Sequence, residues 1–290
     1  MKEALYYNTA EANVMCRLCP HKCELPNGKT GLCRVRTHMD GKLMAMGYGR
    51  VSSLSLDPIE KKPLRHFYPS SWILSLGSYG CNMRCAFCQN YAISQNRILL
   101  DYPEANGRVF YPPEEIVHQA YGQAKNIGIA FTYNEPLINI EYIMDIAPLF
   151  KARGQKVVLV TNGLICAKPL ADLLPVIDAW NIDVKCFDEK FYRKLGGDLD
   201  TVKNTVETTA ARCHVEVTTL IIPGENDDPE EIEALTDWLA ALNPQIPLHI
   251  SRFFPRFQMK DKPPTPLETL EEVAAIARRR LRYVYIGNVR

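Results

Sequence analysis

From residue 72 onward the sequence alternates short β-rich runs with helical patterns, and few folds accept that order. The candidate strands are "WILSL" (72–76), "IGIAFTY" (127–133), "VVLVT" (157–161), "NIDVK" (181–185), "HVEVTTLII" (214–222) and "PLHISRFF" (247–254). They are rich in Val, Ile, Leu and Phe, as strands covered on both faces must be. Pro112-Pro113-Glu114-Glu115 opens a helix with proline and acids in its first turn, and Ile116, Val117, Ala120, Tyr121 and Ala124 follow at helical spacing. Asp228-Pro229-Glu230-Glu231 opens a second, which should bury Ile232, Leu235, Leu239 and Leu242. Thr265-Pro266 starts a third, with Arg278, Arg279 and Arg280 expected in its last turn, where cations suit the helix dipole.

Strands separated by helices pair in parallel through right-handed crossovers. The order therefore predicts an α/β protein, either a partial barrel or an open doubly wound sheet. Both architectures put their chemistry at the C-terminal ends of the strands. "YVYIG" (283–287) supplies a final strand. Residues 1–70 show no such alternation and are expected to form a small cysteine-rich N-terminal lobe with a lead-in, leaving 71–290 as the core.

Seven of the ten cysteines fall between Cys16 and Cys88. The opening residues lack the apolar core of a signal peptide, and no apolar run approaches the ~20 residues that span a bilayer. This reads as a cytoplasmic protein, a reducing setting in which clustered cysteines are metal ligands before they are disulfides. A formal charge of +1 gives no reason to expect nucleic acid or a membrane as partner. "NGKTG" (27–31) and "GYGRVS" (47–52) each miss a glycine of the nucleotide-binding loops they evoke.

Cys81, Cys85 and Cys88 follow directly on the first strand, on the loop leaving its C-terminal end. Iron–sulfur cubes are normally held by four thiolates. A C-x3-C-x2-C loop presents three, so one iron keeps an open coordination position, as a catalytic zinc does. The alternative is a structural zinc borrowing a fourth ligand, although structural zinc favours paired C-x2-C knuckles. Cys16-x2-Cys19-x3-Cys23-x9-Cys33 makes a complete set of four, able to close a zinc site or hold a second iron–sulfur cluster.

The triplet, with the aromatic Phe87 before its last cysteine, resembles the radical S-adenosylmethionine (radical SAM) superfamily. That resemblance implies a partial (βα)6 barrel and a 4Fe-4S cluster whose open iron chelates S-adenosylmethionine. Reductive cleavage then gives methionine and a 5′-deoxyadenosyl radical that abstracts hydrogen from substrate. It also implies roles at the other strand ends. Glu135-Pro136, here preceded by Tyr133-Asn134 where the superfamily commonly has two glycines, would meet the ammonium of S-adenosylmethionine. Asn162 ends the third strand in the same pocket. Asp183 and Lys185, two apart, share one face of the fourth strand and are either an internal ion pair or ligands. By resemblance Lys185 would take the carboxylate of S-adenosylmethionine, with Asp183 beside it. The turn 221–228 looks like the adenine side, although Asp227-Asp228 equally suits a helix cap. His249, Arg252 and Arg256 are candidates for an anionic substrate or for pairing with acids.

"CRLCPHKCELPNGKTGLCRVR" (16–36), "GCNMRCAFCQNYAISQ" (80–95), "TYNEP", "SRFFP" and "YVYIGN" together resemble the AmmeMemoRadiSam-system radical enzymes, homologues of pyruvate formate-lyase activating enzyme. Their pattern continues past "GNV" into a tail with two further cysteines, whereas this sequence ends at Arg290. The resemblance implies a reductant such as flavodoxin or ferredoxin, and Memo-like and AMMECR-like partners. The function expected is hydrogen abstraction from a small molecule or peptide. The alternatives are activation of a glycyl radical enzyme and a metal-binding scaffold without turnover.

Overall fold

The structure, a computed structural model, describes residues 2–10, 12–95, 110–123 and 125–289. Its centre is an eight-stranded sheet in the order β14-β13-β12-β11-β10-β9-β8-β7. Seven strands run parallel: β8 (Trp72–Gly77), β9 (Asn126–Thr132), β10 (Lys156–Thr161), β11 (Ala179–Asp183), β12 (His214–Ile221), β13 (Leu248–Arg252) and β14 (Val284–Gly287). Each expected run thus contains a strand. Helices join them: α1 (Tyr91–Ser94), α2 (Pro113–Ala120), α3 (Ile140–Lys151), α4 (Ala167–Leu173), α5 (Glu189–Lys194), α6 (Leu199–Ala210), α7 (Pro229–Leu242) and α8 (Leu267–Arg278). The strands lie in chain order from one edge to the other with no reversal, which is the order of a partial (βα)6 barrel, whereas a doubly wound sheet reverses its order at a switch point.

Burial on both faces explains the unbroken apolar runs. Ile129, Ala130 and Phe131 in β9 and Val157, Val158 and Leu159 in β10 are all buried. The helices start where short acids can accept the free N–H groups of a first turn. Asp188 accepts from Phe191 N, Asp198 from Thr201 N, and Asp228 from Glu230 N and Glu231 N. Asp228 is therefore a helix cap. Three details differ from expectation. Helix α2 ends at Ala120, leaving Tyr121 extended and 73% exposed, while Ala124 lies outside the described residues. Leu242 is exposed at the end of α7. In α8 the last turn holds Arg278, and Arg279 forms its cap.

The lead-in adds a strand of its own. Strand β7 (Ser53–Pro58) pairs antiparallel with β8, with Ser53 opposite Gly77 and Pro58 opposite Trp72. Ahead of it, two three-stranded antiparallel sheets, ordered β1-β6-β5 and β2-β3-β4, make the cysteine-rich lobe; their strands are β1 (Lys2–Glu3), β2 (Tyr7–Ala10), β3 (Asn13–Cys16), β4 (Glu24–Pro26), β5 (Arg36–Met39) and β6 (Lys42–Ala45). A buried ion pair, Arg36 Nη2 to Glu141 Oε1 at 2.9 Å, fixes this lobe to α3. At the other end of the barrel, the buried Glu216 carboxylate near the start of β12 accepts from Arg65 N (3.0 Å) and His66 N (2.7 Å), and from His214 and His249. The lead-in is thereby pinned across the N-terminal ends of the strands. Among the described residues no helix is long and apolar enough to cross a membrane.

Candidate functional site

The thiol loop begins where β8 ends, and its entry is held by amides. Asn134 Oδ1 accepts from Ser78 N (2.9 Å), while its Nδ2 donates to Gly80 O (3.0 Å). Gly80 has φ +85°, and a Cβ there would lie 2.4 Å from Cys33 O, so only glycine lets the loop lie this close to the lobe. Asn82 continues the seam: its Nδ2 donates to Leu164 O at 2.8 Å, and its carbonyl accepts from His21 Nε2 at 2.7 Å. Cys81 Sγ accepts from Met83 N (3.3 Å) and lies 3.8 Å from Asn162 Nδ2. Burial pushes the Cys81 thiol well up, Cys85 up to about 11, and Cys88 upward too. Ligation by a metal is what replaces such retained protons.

Opposite the loop, the strand ends bring acids and a lysine. Glu135 is 2% exposed, and its carboxylate accepts from Thr161 Oγ1 (2.7 Å), Asn162 N (2.8 Å) and Leu137 N (2.9 Å). Burial nevertheless raises its pKa to about 7. A carboxylate offers about four lone-pair sites, so one is left for a further donor. Lys185 Nζ and Asp183 Oδ2 are 2.6 Å apart. Burial opposes the lysine's charge, but Asp183 and the nearby thiols push its pKa above the ordinary value. The lysine backbone is locked from two sides: Lys185 N donates to Tyr192 Oη (3.0 Å), and Lys185 O accepts from Asn226 Nδ2 (2.8 Å).

The three thiols, Glu135, Asp183 and Lys185 face one cavity of about 350 Å³ at the C-terminal ends of the strands. Its lining includes Cys81, Cys85 and Cys88 together with Phe87, Asn134, Glu135, Asn162, Asp183 and Lys185. Arg252 and Arg256 line a neighbouring cavity of about 300 Å³. His249 belongs to neither; its Nε2 sits 2.6 Å from Glu216. Tyr133 of the Thr132–Pro136 turn also lines the main cavity, as do Lys61 and Lys62, which no sequence motif marks.

Residues 76–239 match the radical SAM superfamily, more than half of the 290 residues, and span every strand end just described except that of β13. The chain belongs to the radical SAM superfamily. It is 41% identical to the uncharacterized protein MJ0808 of Methanocaldococcus jannaschii over the whole of this chain and 86% of that protein. A putative glycyl-radical enzyme activating enzyme of the same organism is 26% identical, covering 77% of this chain and 89% of its own length. Among solved structures, Streptococcus suis SuiB bound to its precursor peptide SuiA superposes with a TM-score of 0.53 at 18% identity, covering 72% of this chain and 47% of that one.

Radical SAM enzymes work with a 4Fe-4S cluster and S-adenosylmethionine, and the residues here fit both. Among the described residues, no three His, Cys, Asp or Glu side chains converge tightly enough to hold a single metal ion. A cube takes each thiolate on a different iron, so its ligands line a space and do not meet at a point. The cavity supplies that space, with the Lys185 cation, the buried Glu135 and the half-buried Asp183 facing it.

In the lobe, Cys16, Cys19, Cys23 and Cys33 line a second, smaller cavity together with Arg36 and Ile138. Burial pushes the Cys19 thiol up and raises Cys33 to about 11. Through Cys33 O at Gly80 and His21 at Asn82, this group backs directly onto the radical loop.

Proposed function

We propose that Cys81, Cys85 and Cys88 hold three irons of the cluster and leave the fourth to S-adenosylmethionine. The supporting observation is that three thiols, Cys85 buried and Cys81 and Cys88 half-buried, share one cavity with an unspent acceptor on Glu135 and the cation of Lys185. When bound, the cluster and S-adenosylmethionine supply a 5′-deoxyadenosyl radical by reductive cleavage of a carbon–sulfur bond. The remaining work belongs to the chain. Lys185, held in place by Tyr192 and Asn226, receives the carboxylate, and Asp183 keeps the lysine oriented. Glu135 takes the ammonium at its fourth lone pair, which favours the ionised carboxylate over the protonated one. Asn134 and Asn162 hold the loop against the strand ends, while Met83, Phe87 and Leu220 give apolar walls that keep water from the radical.

The electron comes from a reductant such as flavodoxin or ferredoxin, and the hydrogen from a small molecule or peptide. A second reading, hydrogen abstraction from a glycine in a glycyl radical enzyme, is favoured by the likeness to the putative activating enzyme. The narrower resemblance adds Memo-like and AMMECR-like proteins as partners. We further propose that Cys16, Cys19, Cys23 and Cys33 hold a second metal, an auxiliary iron–sulfur cluster in preference to the zinc alternative, because these thiols line a space and do not converge on one point. Metal analysis of the Cys81→Ala/Cys85→Ala/Cys88→Ala variant separates the two, since any iron that persists belongs to the lobe.

The deciding experiment is anaerobic reconstitution with iron and sulfide, followed by dithionite and S-adenosylmethionine, with chromatography for 5′-deoxyadenosine. Its formation supports the reading, and a true substrate raises the yield. Full iron content without 5′-deoxyadenosine, in the presence of each candidate substrate and partner, overturns it.

A further inference from the structure

Within the main cavity lies a charged group unlike the one at Lys185. Lys62 is buried, its side chain only 2% exposed, yet it lines the cavity. Its ammonium is 2.9 Å from Asp57 Oδ2 and stands 4.6 Å over the ring of Tyr133. Asp57 is not reserved for it. Lys61 Nζ lies 3.1 Å from the other carboxylate oxygen, and Tyr133 Oη donates to Oδ2 at 2.7 Å. Two ammonium groups thus share one carboxylate: Asp57 balances the buried Lys62, while Lys61, 66% exposed, leaves the group one positive charge in excess. An anion entering the cavity would meet that excess and a charge-assisted donor on Lys62.

The backbone is strained to build this group. Tyr133 has φ +73°, a region that bulky residues rarely enter. Its ring packs so tightly on Gly77 that a Cβ there would lie 2.8 Å from Tyr133 Cδ2. Strain of this kind costs about 1–3 kcal/mol and gathers where a function requires the conformation. Beneath it, Asn181 Nδ2 donates to Pro63 O at 2.9 Å, and Glu216 binds Arg65 N and His66 N, fixing the segment that carries Lys62. Asp57, Lys61 and Lys62 all lie outside the residues matched to the superfamily, so they suit a task particular to this chain and not the handling of S-adenosylmethionine.

We propose that Lys62, supported by Asp57 and Tyr133, binds an oxyanion of the substrate, a carboxylate or a phosphate, in the cavity that also takes S-adenosylmethionine. This rests on the radical SAM reading of that cavity, whose own carboxylate goes to Lys185. The partner left for Lys62 is therefore a second anion. Lys62 orients the substrate by a charge-assisted hydrogen bond, the ring of Tyr133 fixes the ammonium, and the exposed Lys61 adds its charge through Asp57.

The test is calorimetric titration of the cluster-loaded, unreduced protein, saturated with S-adenosylmethionine, using acetate and inorganic phosphate as probes. Saturable binding of either is expected, and the tighter of the two names the class of oxyanion. In the Asp57→Asn/Lys62→Met variant, which removes both charges together, that affinity should fall about 10-fold or more, the worth of one charge-assisted hydrogen bond. Lys62→Arg should retain it within about threefold. S-adenosylmethionine affinity, measured on the same samples, should be unchanged in both, showing that the cavity is intact. Failure of both anions to bind the unaltered protein, or equal binding by the double variant, overturns the proposal. No turnover is involved, so absence of 5′-deoxyadenosine in the earlier assay leaves this result standing.

Discussion

Replacing Gly80 by alanine should damage the protein in two separable ways. Gly80 holds φ +85°, where an L-residue costs roughly 1–2 kcal/mol. The new methyl would also lie 2.4 Å from Cys33 O, 2.9 Å from Val35 Cγ1 and 3.0 Å from Ile138 Cδ1. The first of these is backbone and cannot turn aside, so the loop and lobe must part, a distortion worth about 1–3 kcal/mol. The sum, about 2–5 kcal/mol, is a large share of the 5–15 kcal/mol that holds a typical domain together. Gly154→Ala supplies the control, because Gly154 has φ +70° with nothing within 4 Å of its Cβ position. It should lose the conformational part alone. Anaerobic equilibrium unfolding in urea gives both values, and their difference isolates the clash. Because Cys81 follows Gly80 in the chain, bound iron after reconstitution should fall in Gly80→Ala and stay level in Gly154→Ala. Equal destabilisation of the two variants would refute the close seating of the lobe on the radical loop.

The other expectations follow from the same geometry. Cys85→Ala removes one iron's thiolate and should reduce 5′-deoxyadenosine to background in the chromatographic assay, with lower iron; retained activity removes Cys85 from the cluster. Lys185→Ala should weaken S-adenosylmethionine binding about 10-fold or more by equilibrium dialysis while leaving iron content alone, since a charge-assisted hydrogen bond is worth roughly 1.5–3 kcal/mol. Glu216 gives a pH signature. Burial opposes its ionisation, yet bonds from His214, His249, Arg65 N and His66 N lower its pKa to about 2 from an ordinary 4.5. A folded-state value below the unfolded one means stability that is present above about pH 4.5 and lost as pH falls toward 2, about 3 kcal/mol in all. Glu216→Gln should flatten that acid limb in unfolding measured from pH 6 downward, and an unchanged slope would show that the carboxylate is not held ionised.

What the sequence made legible was what it encodes locally. The seven parallel strands announce themselves because both faces are buried, so apolar residues run on without interruption, as in Val157-Val158-Leu159. The three thiols are legible because one short loop carries them all at a fixed spacing. Strand β7 was passed over, though "SLSL" does alternate, because a half-exposed edge strand of six residues leaves little apolar signal. His249 had the chemistry of an anion ligand, but Glu216, 33 residues away in sequence, claims it. The same limit hid Asn226, which acts on the carbonyl of Lys185 across 41 positions. Lys62 is the extreme case. Its place depends on Asp57 in a strand from the lead-in, on Asn181 holding Pro63, and on Glu216 holding Arg65 and His66 some 150 residues upstream. Glu216 therefore does more than stabilise the far end of the barrel. By fixing the segment that presents Lys62, it couples the acid-sensitive clamp to the shape of the cavity, so Glu216→Gln should loosen oxyanion binding without touching any residue that lines the site.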